Sequence, residues 1–171
     1  MSNAPLPQTP TDAPQGIVLH PLLASALRAA LAGRTEVSAD AVGLVRLSID
    51  GKVTKSRRTW VQINDTRREM RDSRLIAILR AIDARERSLE AWSSRRQLEI
   101  GPSRSATTQI REVFVGLVPE GFDVFEGDRR GNFRLNPAIV VENVDWDTLR
   151  EHPNRAVVRV ALEHRKRRGG A

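Results

Sequence analysis

Between Ile100 and Ser103 the chain reads Ile-Gly-Pro-Ser, and no regular helix passes through such a stretch. Glycine loses the most backbone entropy in a helix. Proline lacks the N–H that a helix interior needs and pushes the preceding residue out of the helical region. Helices on the two sides are therefore separate and short. On the near side, Ser94-Arg-Arg-Gln97 is a capping box, in which the Ser94 hydroxyl and the Gln97 amide satisfy free N–H groups at a helix start. On the far side a helix starting near Ser103 or Ser105 is expected to run to about Leu117. It would bury Ile110, Val113, Phe114 and Leu117 and end at Pro119-Glu-Gly121.

The surrounding pattern extends this pair in both directions. Leu75, Ile78, Leu79 and Ile82 recur at helical spacing over about Arg74 to Asp83, behind Asp72 as the expected N-cap. Upstream of that, Val45, Leu47 and Ile49 alternate with polar residues, and Asp50-Gly51 reads as a primed turn beyond which Val53 resumes. Trp60 to Ile63 alternates again up to Asn64-Asp65, so an antiparallel sheet of about three strands is expected before the helices. Downstream, Phe122-Asp-Val-Phe125 and Asn132-Phe-Arg-Leu135 read as two strands around the charged turn Glu126 to Gly131.

Hydrophobic residues are 40% of the 171, aromatics 4% and charged residues 29%, which describes a small core under a charged surface. The net charge of +7 points to an anionic partner, nucleic acid being the commonest. There is no cysteine, which excludes disulfides, thiolate zinc sites and cysteine nucleophiles. No apolar run reaches the roughly 18 residues of a membrane span, and Met1 to Gln15 is polar and proline-rich without a signal-type core, so a cytoplasmic, nucleoid-associated protein with no membrane partner is expected.

Four regions follow. Residues 1–16 read as a disordered tail and 17–40 as an N-terminal helical segment centred on Pro21 to Ala32. Residues 41–137 read as the principal domain and 138–171 as a C-terminal extension with a basic tail. Within the extension, Ile139 to Val141 reads as a strand, Asp145 as the cap of a short helix and Ala156 to Leu162 as either helix or strand. Its Val157, Val160 and Leu162 need a partner, either the N-terminal helix or a second subunit, so the terminal helices offer a homodimer surface.

The fold class expected is α+β, a winged helix-turn-helix: an N-terminal antiparallel sheet, a three-helix core and a C-terminal β-hairpin wing, with extra terminal helical segments. If Ile110, Val113, Phe114 and Leu117 face inward, Arg104, Thr107, Thr108 and Arg111 face outward on the second of the paired helices. Such a helix projects into the roughly 12 Å major groove, where arginine reads guanine or phosphate and threonine meets phosphate or the thymine methyl. Arg129, Arg130 and Arg134 cluster in the hairpin, and Arg95 and Arg96 at the capped helix start suit backbone phosphates. About six such contacts imply that log K falls with log salt at a slope of roughly −5.

From about Val45 to Leu135 the sequence resembles the winged-helix effector domain of OmpR/PhoB-type response regulators. Trp92-Ser-Ser-Arg-Arg-Gln-Leu98 resembles the start of that family's second helix, and Ser105-Ala-Thr-Thr-Gln-Ile-Arg111 the start of its recognition helix. Gly131-Asn-Phe-Arg-Leu135 resembles the strand that closes its wing, with Phe133 where tyrosine is usual. The resemblance implies the N-terminal sheet, Arg104, Thr107, Thr108 and Arg111 in or over a major groove, and Arg129 and Arg130 on an adjacent minor groove or phosphates. It implies no phosphorylation control, since the receiver domain has no counterpart, and Glu112 followed by Val113-Phe-Val-Gly-Leu117 departs from the family's basic run.

Double-stranded DNA is accordingly the expected partner, with sequence-specific transcriptional regulation as the expected role. Two alternatives stand beside it: a winged-helix protein-interaction module or subunit of a larger assembly, and a non-specific nucleoid or replication accessory protein. No cofactor, metal or enzyme chemistry is expected. His20, His152 and His164 are far apart and read as solvated or capping, and Glu142, Asp145 and Asp147 read as helix-start acids. Trp60, Trp92 and Trp146 read as core or interface anchors, and Gly127 to Gly131 lacks the lysine and the following helix of a phosphate loop.

Overall fold

A computed structural model describes residues 44–102 and 105–169, so the N-terminal tail and helix, His20 and Arg104 lie outside the described residues. The described part is mixed α+β with four helices. Strands β1 (Val45–Val53), β2 (Thr59–Ile63) and β3 (Thr66–Met70) form an antiparallel meander, and β7 (Ile139–Val144) joins β1 in parallel, giving the order β3-β2-β1-β7. The alternation seen in the sequence is the cause: Val45, Leu47, Ile49, Thr59, Val61 and Ile63 all face inward and are buried, while their neighbours face out.

The strand boundaries differ from the expectation in an instructive way. Asp50-Gly51 is not a hairpin turn. Strand β1 runs through it, and the reversal comes at residues 54–58, closed by Thr54 N to Arg58 O at 2.7 Å. Ile49 pairs with Val61 and Val53 with Thr59, so four steps on β1 face two on β2 and Asp50-Gly51 sits in a bulge, with Gly51 at φ +70°. The tight turn is instead Asn64-Asp65, where Ile63 pairs directly with Thr66 and Asn64 takes φ +51°. Strand β3 carries no apolar alternation because it is a sheet edge with only Met70 buried, and charged edges resist pairing with other chains.

Helix α1 (Asp72–Arg87) presents Leu75, Ile78, Leu79 and Ile82 to the core. Asp72 lies in its first turn rather than at the cap; Arg71 occupies the cap position without a side-chain bond, and the helix runs four residues past Asp83. The capping box after it forms as expected: Ser94 N donates to Gln97 Oε1 at 2.7 Å and Gln97 N to Ser94 Oγ at 3.3 Å. The segment it opens is a single turn, Leu98 N to Ser94 O, not a helix, since Gly101-Pro102 follows within three residues. Just before it, β4 (Ser93–Ser94) pairs with the hairpin of β5 (Phe125–Gly127) and β6 (Asn132–Leu135), giving a second sheet ordered β4-β6-β5.

Helix α2 (Ser105–Glu112) is shorter than the pattern suggests. Beyond Glu112 the bonds tighten to three-residue steps, Phe114 N to Arg111 O and Leu117 N to Phe114 O, and Gly116 at φ +76° ends the path before Pro119. Phe114 is buried as expected, Leu117 only half. The strand expected over Phe122 to Phe125 begins only at Phe125. From Asn64, Nδ2 donates to Leu117 O at 2.8 Å, tying the β2–β3 turn to the end of this segment.

The C-terminal region is part of the core. Asp145 caps α3 (Trp146–Arg150) through Thr148 N at 2.9 Å, and Asn154 Oδ1 accepts from Ala156 N at the start of α4 (Arg155–Gly169). Val157, Val160 and Ala161 of α4 are buried in one hydrophobic cluster with α1, α3 and the sheet. Their cover is therefore this chain's own α1 and α3, and Leu162 is half exposed rather than buried.

Candidate nucleic-acid interface

The element order from α1 to β6 brings α2 and the β5–β6 hairpin side by side. Thr107, Thr108 and Arg111 of α2 line a groove of about 220 Å³ whose other wall is Phe125 and Phe133 of the hairpin, with Asp123 at its edge. Ile110 points into the core, which leaves Thr108 and Arg111 exposed, while Thr107, three residues before Ile110 and on the same side of the helix, is half-buried at the groove. Arg111 reaches Asp123 at 3.5 Å, with both side chains largely in solvent, a pair that water and salt weaken readily.

At the hairpin tip one carboxylate organises the turn. Asp128 Oδ1 accepts from the backbone N of Arg130 and of Asn132, each at 2.8 Å, and Oδ2 accepts from Asn132 Nδ2 at 2.9 Å. Those bonds, the Asn132 side chain first, hold the Asp128 carboxyl below its ordinary range. The turn carries Arg129 and Arg130 outward, both exposed and neither in an ion pair among the described residues.

Arg134 has a different role from the one its position suggests. It donates to Glu126 at 2.8 Å and pairs with Glu90, and its guanidinium lies 4.7 Å over the Trp92 ring. Burial works against its charge, but the two carboxylates outweigh it and raise its pKa. Arg134 is thus committed to the hairpin's own packing, and the sequence carries no sign of this because Glu90 is 44 residues away. Arg95 is half-buried over the Phe133 ring at 4.9 Å and donates to Gly101 O at 3.1 Å, bracing the turn against the hairpin. Arg96 is exposed on the far side of the same turn.

The expected site residues therefore divide. Thr107, Thr108 and Arg111 share a groove wall opposite the hairpin that carries Arg129 and Arg130; Arg95 packs on the Phe133 ring of that groove, Arg96 lies away from it on the other side of the turn, Arg134 is withdrawn, and Arg104 is outside the described residues. Sequence reasoning did not pick out Arg87, and read Arg167 only as part of the basic tail Arg165 to Arg168, a solubilising end or a source of non-specific phosphate affinity; both line a second trough with Arg96.

The two histidines among the described residues are not solvated. His152 is buried, its ring nitrogen Nε2 2.9 Å from the Thr59 hydroxyl and its Nδ1 accepting from Asn154 N at 3.0 Å. His164 is buried too, stacked on Trp146 with centroids 3.9 Å apart, and its Nε2 is 2.7 Å from Glu86. None of the tryptophans is a deep core residue: Trp60 lies under Arg67, Trp92 under Arg134, and Trp146 on His164. Of the acidic trio, Asp145 is a cap, Asp147 pairs with Arg150, and Glu142 approaches Ser48 and Arg46. Among the described residues, no group of three or more metal-ligating side chains is placed to hold an ion, and no helix is long and apolar enough to cross a membrane. No family model, no curated protein and no solved structure matches this chain.

Proposed function

We propose that this chain is a winged helix-turn-helix protein that binds double-stranded DNA, with α2 entering the major groove and the β5–β6 hairpin as a basic wing on the backbone or an adjacent minor groove. The observation that carries this reading is the groove shared by Thr107, Thr108 and Arg111 with the hairpin whose Asp128-stapled tip exposes Arg129 and Arg130. The order helix, strand, capped turn, helix, hairpin, with β4 pairing onto β6, supports the winged arrangement. The net charge of +7 supports an anionic partner. A role in regulating transcription follows from sequence-specific binding, and the reading assigns the chain no catalytic chemistry.

Selection from a pool of random-sequence duplexes with the purified full chain tests it. An enriched motif, bound with a salt slope near −5, is the expected result. Equal affinity for unrelated duplexes would move the protein to the sequence-indifferent class, and no duplex binding would remove the reading altogether.

A protein-interaction module is the second reading, and a specific feature favours it. Val115 is 61% exposed, and with Val118, Pro119 and Phe122 it lines an apolar groove of about 260 Å³ directly after α2. Charge reversal of Arg129 and Arg130 separates the two: it abolishes duplex binding under the first reading and leaves complex assembly through the Val115 surface untouched under the second.

A further inference from the structure

On the far side of the capped turn from the α2 groove lies a trough of about 370 Å³ with no apolar side chain in its lining. Three separate segments build it: Arg80, Asp83 and Arg87 from α1, Arg96 and Glu99 from the turn, and Arg167 from α4. Four of these are arginines and two are carboxylates, and both carboxylates are already engaged. Asp83 is buried beneath Arg87 and Arg167, its Oδ2 3.8 Å from the Arg87 guanidinium and in contact with that of Arg167. Glu99 accepts from Arg80 at 2.8 Å with one oxygen and from Arg159 at 2.7 Å with the other.

Arg87, Arg96 and Arg167 are left facing the opening. Arg87 is 61% exposed, and Arg96 has no ion-pair partner among the described residues. A guanidinium has five N–H donors, so a contact with Asp83 leaves several for a ligand. Asp83 also orders Arg87 and Arg167 before any ligand arrives, which lowers the entropy lost on binding. Two or three convergent guanidiniums fit the oxygens of a phosphodiester.

The trough and the candidate interface are separated by the capped turn alone. Arg96 follows Arg95, whose guanidinium covers Phe133, and the Phe133 ring also lines the groove of Thr107, Thr108 and Arg111. We propose that this trough is a phosphodiester-binding subsite, through which the C-terminal helix α4 adds to the footprint of the same duplex. This extends the DNA-binding reading and rests on it.

The test is the salt dependence of duplex binding by the full chain, using a random-sequence pool, for Arg87→Gln/Arg96→Gln, for Arg129→Gln/Arg130→Gln and for Lys55→Gln/Arg57→Gln. The last pair removes two exposed cations from the β1–β2 turn and controls for charge alone. The trough variant is expected to flatten the slope by about 2, the tip variant likewise, and the control by much less. A trough variant with the wild-type slope, while the tip variant loses slope, overturns this inference and leaves the DNA reading standing. Failure of the wild-type chain to bind any duplex overturns both. If the double variant melts at a lower temperature, Arg96→Gln alone carries the test with a loss of about 1 in slope, since its side chain is exposed and unpaired among the described residues.

Discussion

Gly51 lies against Thr148: a Cβ at position 51 would stand 3.0 Å from Thr148 Cγ2 and 3.2 Å from the backbone N of Leu149. The bulge in β1 thus seats α3, and Ile49 O accepts from Asp145 N at 2.8 Å to complete the junction. At φ +70° any side chain is strained, and here there is also no room. Gly51→Ala is expected to cost about 1–3 kcal/mol, read as a lower denaturation midpoint with an unchanged m-value. Wild-type stability in that variant would show that α3 shifts freely and the junction is not fixed.

His152 makes the fold sensitive to mild acid. Burial lowers its pKa from the ordinary value near 6.5, against the opposing pull of Asp72. The unfolded chain therefore binds a proton here that the folded chain refuses. Its contribution to stability is complete above about pH 6.5 and is lost as pH falls from there toward the lower folded value. The slope is at most one proton, about 1.4 kcal/mol per pH unit. Denaturant titrations at pH 7.5, 6.5 and 5.5 check it, with His152→Gln expected to flatten the profile.

Arg134 and the pair Arg129, Arg130 should respond oppositely. Arg134→Gln removes the pairs to Glu126 and Glu90 and is expected to lower stability by about 1 kcal/mol while changing the salt slope of duplex binding little. Arg129→Gln/Arg130→Gln is expected to leave the melting temperature in place and to flatten the slope by about 2. Thermal melts and duplex titrations on the same two samples decide it.

The capped turn supports its own stability test. Ser94→Ala removes one half of the reciprocal box, with an expected cost of about 0.5–2 kcal/mol. Faster amide exchange at Gln97 and Leu98 would accompany it; unchanged exchange would mean that β4 pairing and Arg95 alone hold the turn.

Features legible in the sequence by itself are those made within a few residues of one another. The Ser94–Gln97 box, the Asp145 cap, the break at Gly101-Pro102, the inward alternation of Val45, Leu47 and Ile49, and the hairpin around Asp128 all arise from bonds or periodicities of local span. Thr108 and Arg111 as an exposed face were readable for the same reason, whereas Thr107 is half-buried at the groove.

Tertiary structure decided the rest, because it depends on groups the chain brings together from far apart. Asp50-Gly51 had the composition of a turn, yet α3 packing on it and pairing on both sides made it a bulge. The charged Thr66–Met70 became a strand only because β2 offered a free edge. Arg134 was withdrawn by a carboxylate 44 positions away, and Asp83 drew Arg167 from 84 positions away to Arg87 beside the capped turn. Local hydrogen-bonding rules set which elements form; burial and long-range ion pairing set which arginines are left to meet a ligand.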